Sequence, residues 1–392
     1  MRIIIIGAGP AGVAAAHRLN ELGETDWHLY ERASEAGGRA RPARSGGFTY
    51  DMGQRIDVRH AYIERLMRDI LGAEASPVTT RDAMVLDGAV ITMPLQQHLR
   101  SLDPSLLVDC IMGLAKLPAR APESTHLQAW LRASFGDALS KRILEPYLRK
   151  FWAHPLDLMD AAWAPADMPA IDLETILRAI IGDAPVEANG PVPSGPARIY
   201  PALGTAEPLR RIAEALARHI SFDSAVAHVE PRTRTIRLAN GLEDHYDALI
   251  STMPLAELLP ITAGVPTRVR NAALQLSSSA APMLGIGFRG DVDLPAHRLH
   301  FPAADVRFSR IVHLSALSAG MTPGDGFSSI VAESSASNWD APEPLGADEV
   351  MSVLTGQGVL QAEATPRIVD VTPFEVACAR PTPTIDRDVA LE

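Results

Sequence analysis

The chain opens with four consecutive isoleucines, Ile3 to Ile6, which run directly into Gly7-Ala8-Gly9-Pro10-Ala11-Gly12. An unbroken β-branched run of this kind suits a strand buried on both faces, and so a parallel sheet covered by helices. Glycines spaced G-x-G-x-x-G at a strand-to-helix turn have separate tasks. Gly7 makes the turn tight, Gly9 lets a pyrophosphate approach the backbone, and Gly12 lets helix and strand pack closely. Pro10 suits the first helical turn, where its missing N–H costs nothing. The Ala-rich helix from Ala11 to Leu22 stops at Gly23, and a second strand, Trp27 to Tyr30, delivers Glu31. A carboxylate there is placed to accept hydrogen bonds from an adenosine ribose. The competing reading is a secretory signal, with Arg2 as its basic end and Ala14-Ala15-Ala16 as its cleavage site. Three glycines and a proline would break its apolar core, and Glu31 would be left unexplained. Strand, turn, helix, strand and acid in this order predict dinucleotide binding.

Soon after Glu31 and Arg32 come Gly37-Gly38-Arg39 and then Gly46-Gly47-Phe48-Thr49-Tyr50-Asp51-Met52-Gly53. With these residues the chain resembles the FAD-dependent oxidoreductases that include protoporphyrinogen oxidase, the amine oxidases and the carotenoid desaturases, with UDP-galactopyranose mutase as a redox-neutral relative. The resemblance implies that Gly37 and Gly38 hug FAD and that Arg39 lies by its pyrophosphate and flavin, a task suited to a planar guanidinium. It adds Pro10, Ala11, Arg32, Gly53, Gln54 and Arg55 to the residues expected near the cofactor. Further along, Ala225 to Val229 is similar to a strand whose valine backbone meets the adenine, here Val226. Tyr246 to Leu255 is similar to a strand that turns beside the cofactor at Thr252 and Met253.

The fold class that follows is α/β: a Rossmann-like FAD-binding domain with an inserted α+β substrate domain, part helical and part antiparallel sheet. Residues 1–80 and 199–265 are expected to bind FAD, and 81–198 and 266–392 to build the substrate side. Several stretches set these limits. Tyr62 to Leu71 has helical spacing and closes at Gly72. Residues 84–92 read as a hairpin turning at Asp87-Gly88. From Pro94 to Ile181 the pattern is helical, too long for a crossover in a minimal dinucleotide fold. The Pro/Gly-rich stretch 182–198 reads as a return linker. Asn240-Gly241 marks another hairpin, and residues 280–340 alternate short apolar runs with Gly and Pro, as strands of the substrate sheet would.

Within the helical insert, Pro146-Tyr147-Leu148-Arg149-Lys150-Phe151-Trp152 is similar to a Pro-Tyr-x-x-Lys-x-Trp segment of the family, with Trp163 following and Met93-Pro94-Leu95 preceding it. These matches, with Ser251 to Leu255, point to the branch near UDP-galactopyranose mutase and protoporphyrinogen oxidase. Tyr147 and Lys150 become candidates for the substrate side, together with Arg55. The alternative is ordinary packing, with core aromatics at helical spacing and one snorkelling lysine. Two departures from the family pattern stand out. After Gly53 the mutase-like branch continues to a histidine, where this chain has Gln54-Arg55. The chain also ends near Pro381 to Asp388, without the Gly-Arg segment that covers the flavin in relatives, so looser FAD binding is expected.

The activity implied is removal of a hydride from a C–H or C–N bond of a small organic substrate. Two alternatives stay open: a nucleotide-sugar isomerase of the mutase type, and a non-catalytic dinucleotide-binding partner protein. Such chemistry belongs to the cofactor, and no residue triad or carboxylate dyad announces a catalytic group. The formal net charge of −11 argues against nucleic acid as a partner. Two cysteines, Cys110 and Cys378, provide neither a disulfide framework nor a metal site. No apolar run approaches the ~20 residues of a membrane span. A cytoplasmic location is expected, and a homodimer or a partner subunit is left open.

Overall fold

The structure is a computed structural model, and it describes residues 1–75, 77–95, 98–117, 126–168, 173–182, 198–275, 278–334, 343–361 and 366–379. The isoleucine run forms the strand Ile3–Ile6, buried along its length. It pairs in parallel with Trp27–Tyr30 on one side and Ala248–Ser251 on the other, and Ile220–Ser221 extends the sheet beyond Trp27–Tyr30. Alternate residues face two separate cores. Ile3 and Ile5 join Val13, Ala16, Trp27 and Leu29 under the helix Pro10–Glu21, while Ile4 and Ile6 join Val229, Ile236 and Tyr246. A strand with both faces covered in this way is why the run carries no polar alternation.

A second, seven-stranded sheet holds Arg367–Ala379, Ser278–Arg289, Phe327–Glu333, Arg310–His313, Arg298–His300, Asp82–Leu86 and Ala89–Thr92, in that order. Two of its features depart from the sequence reading. Ser278–Arg289 is one long strand and not a set of short ones, because it pairs along its length with Arg367–Ala379 and over much of it with Phe327–Glu333. Asp82–Leu86 forms the expected hairpin with Ala89–Thr92, turning at Asp87 and Gly88, both at positive φ. That hairpin also joins the large sheet, running parallel to Arg298–His300. Pairing over so long a sequence separation leaves no local mark in the residues that make it.

The insert contains helices Pro104–Ala115, Leu127–Leu139, Glu145–Trp152 and Leu173–Ile181 around one apolar core that includes Met84, Ile91, Phe135, Ile143 and Leu148. A π-turn, Ser140–Leu144, joins the second and third of these. Pro146, at the start of the third, has no N–H to continue a regular ladder, and the wider turn absorbs the mismatch. The return linker read at 182–198 and the chain end read at 381–388 lie almost wholly or wholly outside the described residues.

Two sets of contacts lock the parallel sheet's loops to the large sheet. Tyr50 lies over Gly285 and Gly287, where any side chain would strike its ring or that of Phe48. Its hydroxyl donates to Asp370 at 2.9 Å. Buried Asp51 accepts from Gly53 N at 2.7 Å, Tyr200 Oη at 2.7 Å and Thr205 N at 2.9 Å. The stretch around Gly53 is thereby fixed between the two sheets.

Candidate functional site

At the first turn, backbone meets backbone. A Cβ on Gly12 would lie 1.8 Å from Gly7 O, and one on Gly38 would lie 2.8 Å from Gly9 Cα. Gly37 N donates to Ala8 O at 2.8 Å, so the glycine pair rests directly on the turn. Gly9 differs from its neighbours. Its φ of −71° suits any residue, and a Cβ there would meet nothing nearer than Gly38 Cα at 3.8 Å. Among the described residues nothing demands a glycine at position 9.

Glu31 is buried, and its carboxylate accepts from Ala8 N at 2.6 Å and Ala33 N at 2.8 Å. The sequence reading gave it only a ribose to hold. It also staples the glycine turn to the end of the second strand, and each oxygen keeps a further lone pair. Around it, Ser224 N donates to Glu31 O at 2.8 Å. Val226 and Met253 are half-buried against the core behind Ile4 and Ile6. Thr252 Oγ1 donates to Ile6 O at 2.9 Å, closing the turn from the opposite side. Pro10 and Ala11 begin the helix and are exposed, as is Arg39. Arg32 is exposed and pairs with Glu257 at 2.9 Å.

The second half of the site is a row of charges on one face of the large sheet. Residues directly opposite across neighbouring strands share a face. Asp82 stands opposite Arg298, His300 opposite Arg310, and Arg310 opposite Glu333. Arg298, Arg310 and Glu333 are buried, and Asp82 is half-buried. Arg310 is ion-paired to Glu333, and Arg298 donates to Gly53 O. That last bond joins the row to the Gly53-Gln54-Arg55 stretch. Arg55 donates to Thr80 Oγ1 and lies 3.9 Å from Asp82, while Gln54 is exposed and accepts from Thr205 Oγ1 through its carbonyl at 2.7 Å.

Over this row lies the helix Glu145–Trp152. Tyr147 Oη and His300 Nδ1 are 2.7 Å apart. Both rings sit deep among protein atoms yet keep some accessible surface, as side chains lining a cleft do. Burial, followed by the charges of Arg310 and Arg298, pulls His300 down to about 3, so its imidazole is neutral at physiological pH. Burial likewise pushes the Tyr147 phenol up, keeping its proton. Arg298 is drawn down to about 10 by burial and then by Arg310. Burial also penalises the Arg310 charge, but Glu333 and Tyr147 outweigh it and leave that guanidinium raised. Asp82 Oδ1, Arg298 Nε and Arg310 Nε are buried without a hydrogen-bond partner among the described residues. Unsatisfied polar atoms of this kind, gathered on one sheet face, make that face a candidate ligand site.

Of the residues singled out in the sequence, Arg55 and Tyr147 touch this row; Arg298, His300, Arg310, Asp82 and Glu333 were missed. A faint signal was present: polar residues alternate with an apolar one in Arg298-Leu299-His300, and Arg310 and His313 bracket the apolar pair Ile311-Val312. Lys150, the third candidate, does not reach the row. Its ammonium is held by backbone carbonyls of the turn after His300.

The model of the family described as flavin containing amine oxidoreductase matches residues 10–310. Among solved structures, reduced UDP-galactopyranose mutase superposes with a TM-score of 0.86 at 27% identity, over 99% of this chain and 85% of the other. A protoporphyrinogen oxidase-like protein from Exiguobacterium sp. 255-15 gives 0.72 at 18% identity, over 100% and 90%. Putrescine oxidase bound to putrescine gives 0.66 at 14% identity, over 97% and 88%. These last two establish likeness of fold alone. A curated relative, the 4,4'-diapophytoene desaturase (4,4'-diaponeurosporene-forming) of Staphylococcus aureus strain Newman, is 41% identical over 56 residues. That match spans 14% of this chain and 11% of the desaturase.

Proposed function

The chain belongs to the family of flavin containing amine oxidoreductases, and on that premise we propose that it is an FAD-dependent oxidoreductase acting on a C–H or C–N bond of a small organic substrate. The observation that carries the reading is Gly9. A glycine that the protein's own packing does not require, inside a turn whose other glycines are required, is explained by a ligand's close approach. Glu31, with free lone pairs at the end of the second strand, suits the ribose of the same ligand.

Residues 1–80 and 199–265 form the cofactor side, and 81–198 and 266–392 the substrate side. Gly7, Pro10, Ala11, Gly12, Glu31, Arg32 and Val226 hold the adenosine half of FAD, and Gly9 faces its pyrophosphate. Gly37, Gly38 and Arg39 hold the pyrophosphate, and Gly53, Gln54, Arg55, Thr252 and Met253 border the flavin. When bound, FAD supplies hydride acceptance and return of the electrons to an acceptor. The protein's part is binding, orientation and field. Arg298 and Arg310 offer unpaired Nε–H groups to an electron-rich substituent of the substrate. Asp82 and Glu333 balance their charge, so the cleft is not a bare cationic hole. Neutral His300 holds Tyr147 in place through the 2.7 Å bond, and burial keeps the phenol protonated.

A nucleotide-sugar isomerase is the second reading, supported by the 27% identity with UDP-galactopyranose mutase over 99% of this chain. The two are separated by one experiment. Purified protein loaded with FAD is screened anaerobically against amines, alcohols and nucleotide sugars, following flavin absorbance. Bleaching by an amine or alcohol supports the oxidoreductase. Conversion of a nucleotide sugar only after prior reduction of the flavin supports the isomerase and overturns the first reading. Failure to bind FAD at all overturns both.

A further inference from the structure

Lys150 has surroundings unlike those of any other cation described in the chain. Its Nζ lies 2.5 Å from Phe301 O, 2.6 Å from Ala303 O, 2.8 Å from Val306 O and 3.3 Å from Phe308 O. All four carbonyls belong to the single turn that connects the strand Arg298–His300 to the strand Arg310–His313. An ammonium has three N–H groups, so four oxygens exceed what it can satisfy by directed bonds. The arrangement is instead that of carbonyl dipoles surrounding a compact cation, the way proteins hold a dehydrated monovalent ion.

The choice of residue agrees. Lys and Arg together number 36 in this chain, and only Lys116, Lys141 and Lys150 are lysines. Arginine is this chain's default cation, yet its planar fork cannot present a point charge to oxygens arriving from several directions, whereas an ammonium can. The base of the cage is buried. Phe301 and Phe308 are both fully buried and meet edge to face, 4.9 Å between centroids, and Phe301 N donates to Ser309 O at 2.9 Å across the base of the turn. Ala304, Asp305 and Arg307 at the tip of the turn are exposed, but Phe301, Val306 and Phe308 are buried, so without a cation their carbonyls would lose a partner where water is scarce.

We propose that Lys150 is a positioning residue: its ammonium is the resident cation of a carbonyl cage that folds the 301–308 turn and so fixes His300 relative to Arg310. Tyr147, one helical turn before Lys150, is set on His300 by the same helix. The role of that wall in handling substrate rests on the function proposed above, but the cage does not.

Two measurements test it without substrate or flavin chemistry. With lysine labelled by 15N at Nζ, the wild-type protein has three ammonium groups to observe. Lys116 and Lys141 are exposed, so the expectation is one slowly exchanging ammonium resonance, absent from Lys150→Met. In the second measurement, amide exchange of residues 298–313 is followed by mass spectrometry. Lys150→Ala is expected to exchange there roughly tenfold faster or more, while residues 3–30 are unchanged. Adding about 0.1 M potassium or ammonium should restore protection by filling the emptied cage, and lithium or choline should not. Lys150→Met, whose side chain still fills the space, should not respond to either. The proposal is overturned if the wild-type protein shows no protected ammonium, if Lys150→Ala leaves 298–313 unchanged, or if faster exchange is indifferent to the cation. Should Lys150→Ala fail to fold, the ammonium resonance of the wild-type protein decides the matter alone.

Discussion

In the turn after Ile3–Ile6 the contacts that set the geometry run between backbone atoms. On the sheet face from Asp82 to Glu333 they run between charged side chains. The first region tolerates no Cβ where Gly12 meets Gly7 O at 1.8 Å, and no change elsewhere can make room. The second balances buried charges in pairs, such as Arg310 with Glu333, and pairs can be replaced together. Damage to the turn should therefore be beyond compensation, while damage to the wall should be repairable by a second substitution.

The wall provides the largest expected single effect. Arg310→Met leaves Glu333 buried without its partner and should cost about 3–5 kcal/mol of stability. Adding Glu333→Leu should recover most of that loss, as measured by urea unfolding. If the double variant is as unstable as the single one, the wall is no more forgiving than the turn and the contrast fails.

Next come the glycines. Gly12→Ala forces backbone apart and should cost about 3 kcal/mol, the upper end for overpacking, with FAD binding lost as well. Gly9→Ala should leave the stability of the FAD-free protein almost unchanged, because its Cβ meets nothing closer than 3.8 Å. Its FAD affinity should nevertheless fall by about tenfold or more, since the methyl stands where the pyrophosphate approaches. Equal destabilisation of the FAD-free protein by both variants would mean that Gly9, too, is a folding residue.

Glu31→Gln should cost about 1.5–3 kcal/mol, because an amide oxygen replaces one carboxylate oxygen and an NH2 group confronts a backbone N–H. The loss should appear in the FAD-free protein and not only in FAD binding, since Ala8 N and Ala33 N lose their acceptor. Full stability of that variant without FAD would reduce Glu31 to a ligand contact.

The smallest effect concerns pH. His300 and His313 are held down by burial to about 3 and about 4, against about 6.5 in an unfolded chain. Below that value the unfolded state takes up protons that the native state refuses, so stability is full at neutral pH and falls as pH drops from 6.5. The slope approaches about 1.4 kcal/mol per pH unit for each histidine. His300→Gln should flatten the dependence between pH 6.5 and 5, a window above the carboxylate titrations. An unchanged slope would place His300 outside the buried wall.

The sequence by itself determined the turn and its partners. Gly7 through Gly12, Glu31 and Gly37-Gly38 lie within a short stretch, and their tasks follow from local backbone: Gly7, Gly37 and Gly38 adopt positive φ, and Gly12 leaves no room for a Cβ. Lone pieces of the wall were readable as well: Tyr147 by its resemblance to a family segment, and the Asp87-Gly88 turn by its chemistry. The sequence did not reveal that Asp82, Arg298, Arg310 and Glu333 form one row. Those residues come from four strands, and a charged residue flanked by apolar neighbours reads the same whether its face meets solvent or a cleft. Only the pairing of Asp82–Leu86 with Arg298–His300, and the helix laid over them, decided that this face is interior. The surroundings of Lys150 were hidden for the same reason. Its resemblance to a family segment made it a substrate-side candidate, with a snorkelling lysine as the alternative, but the carbonyls that hold it belong to a turn some 150 positions away, and main-chain oxygens carry no signature in a sequence.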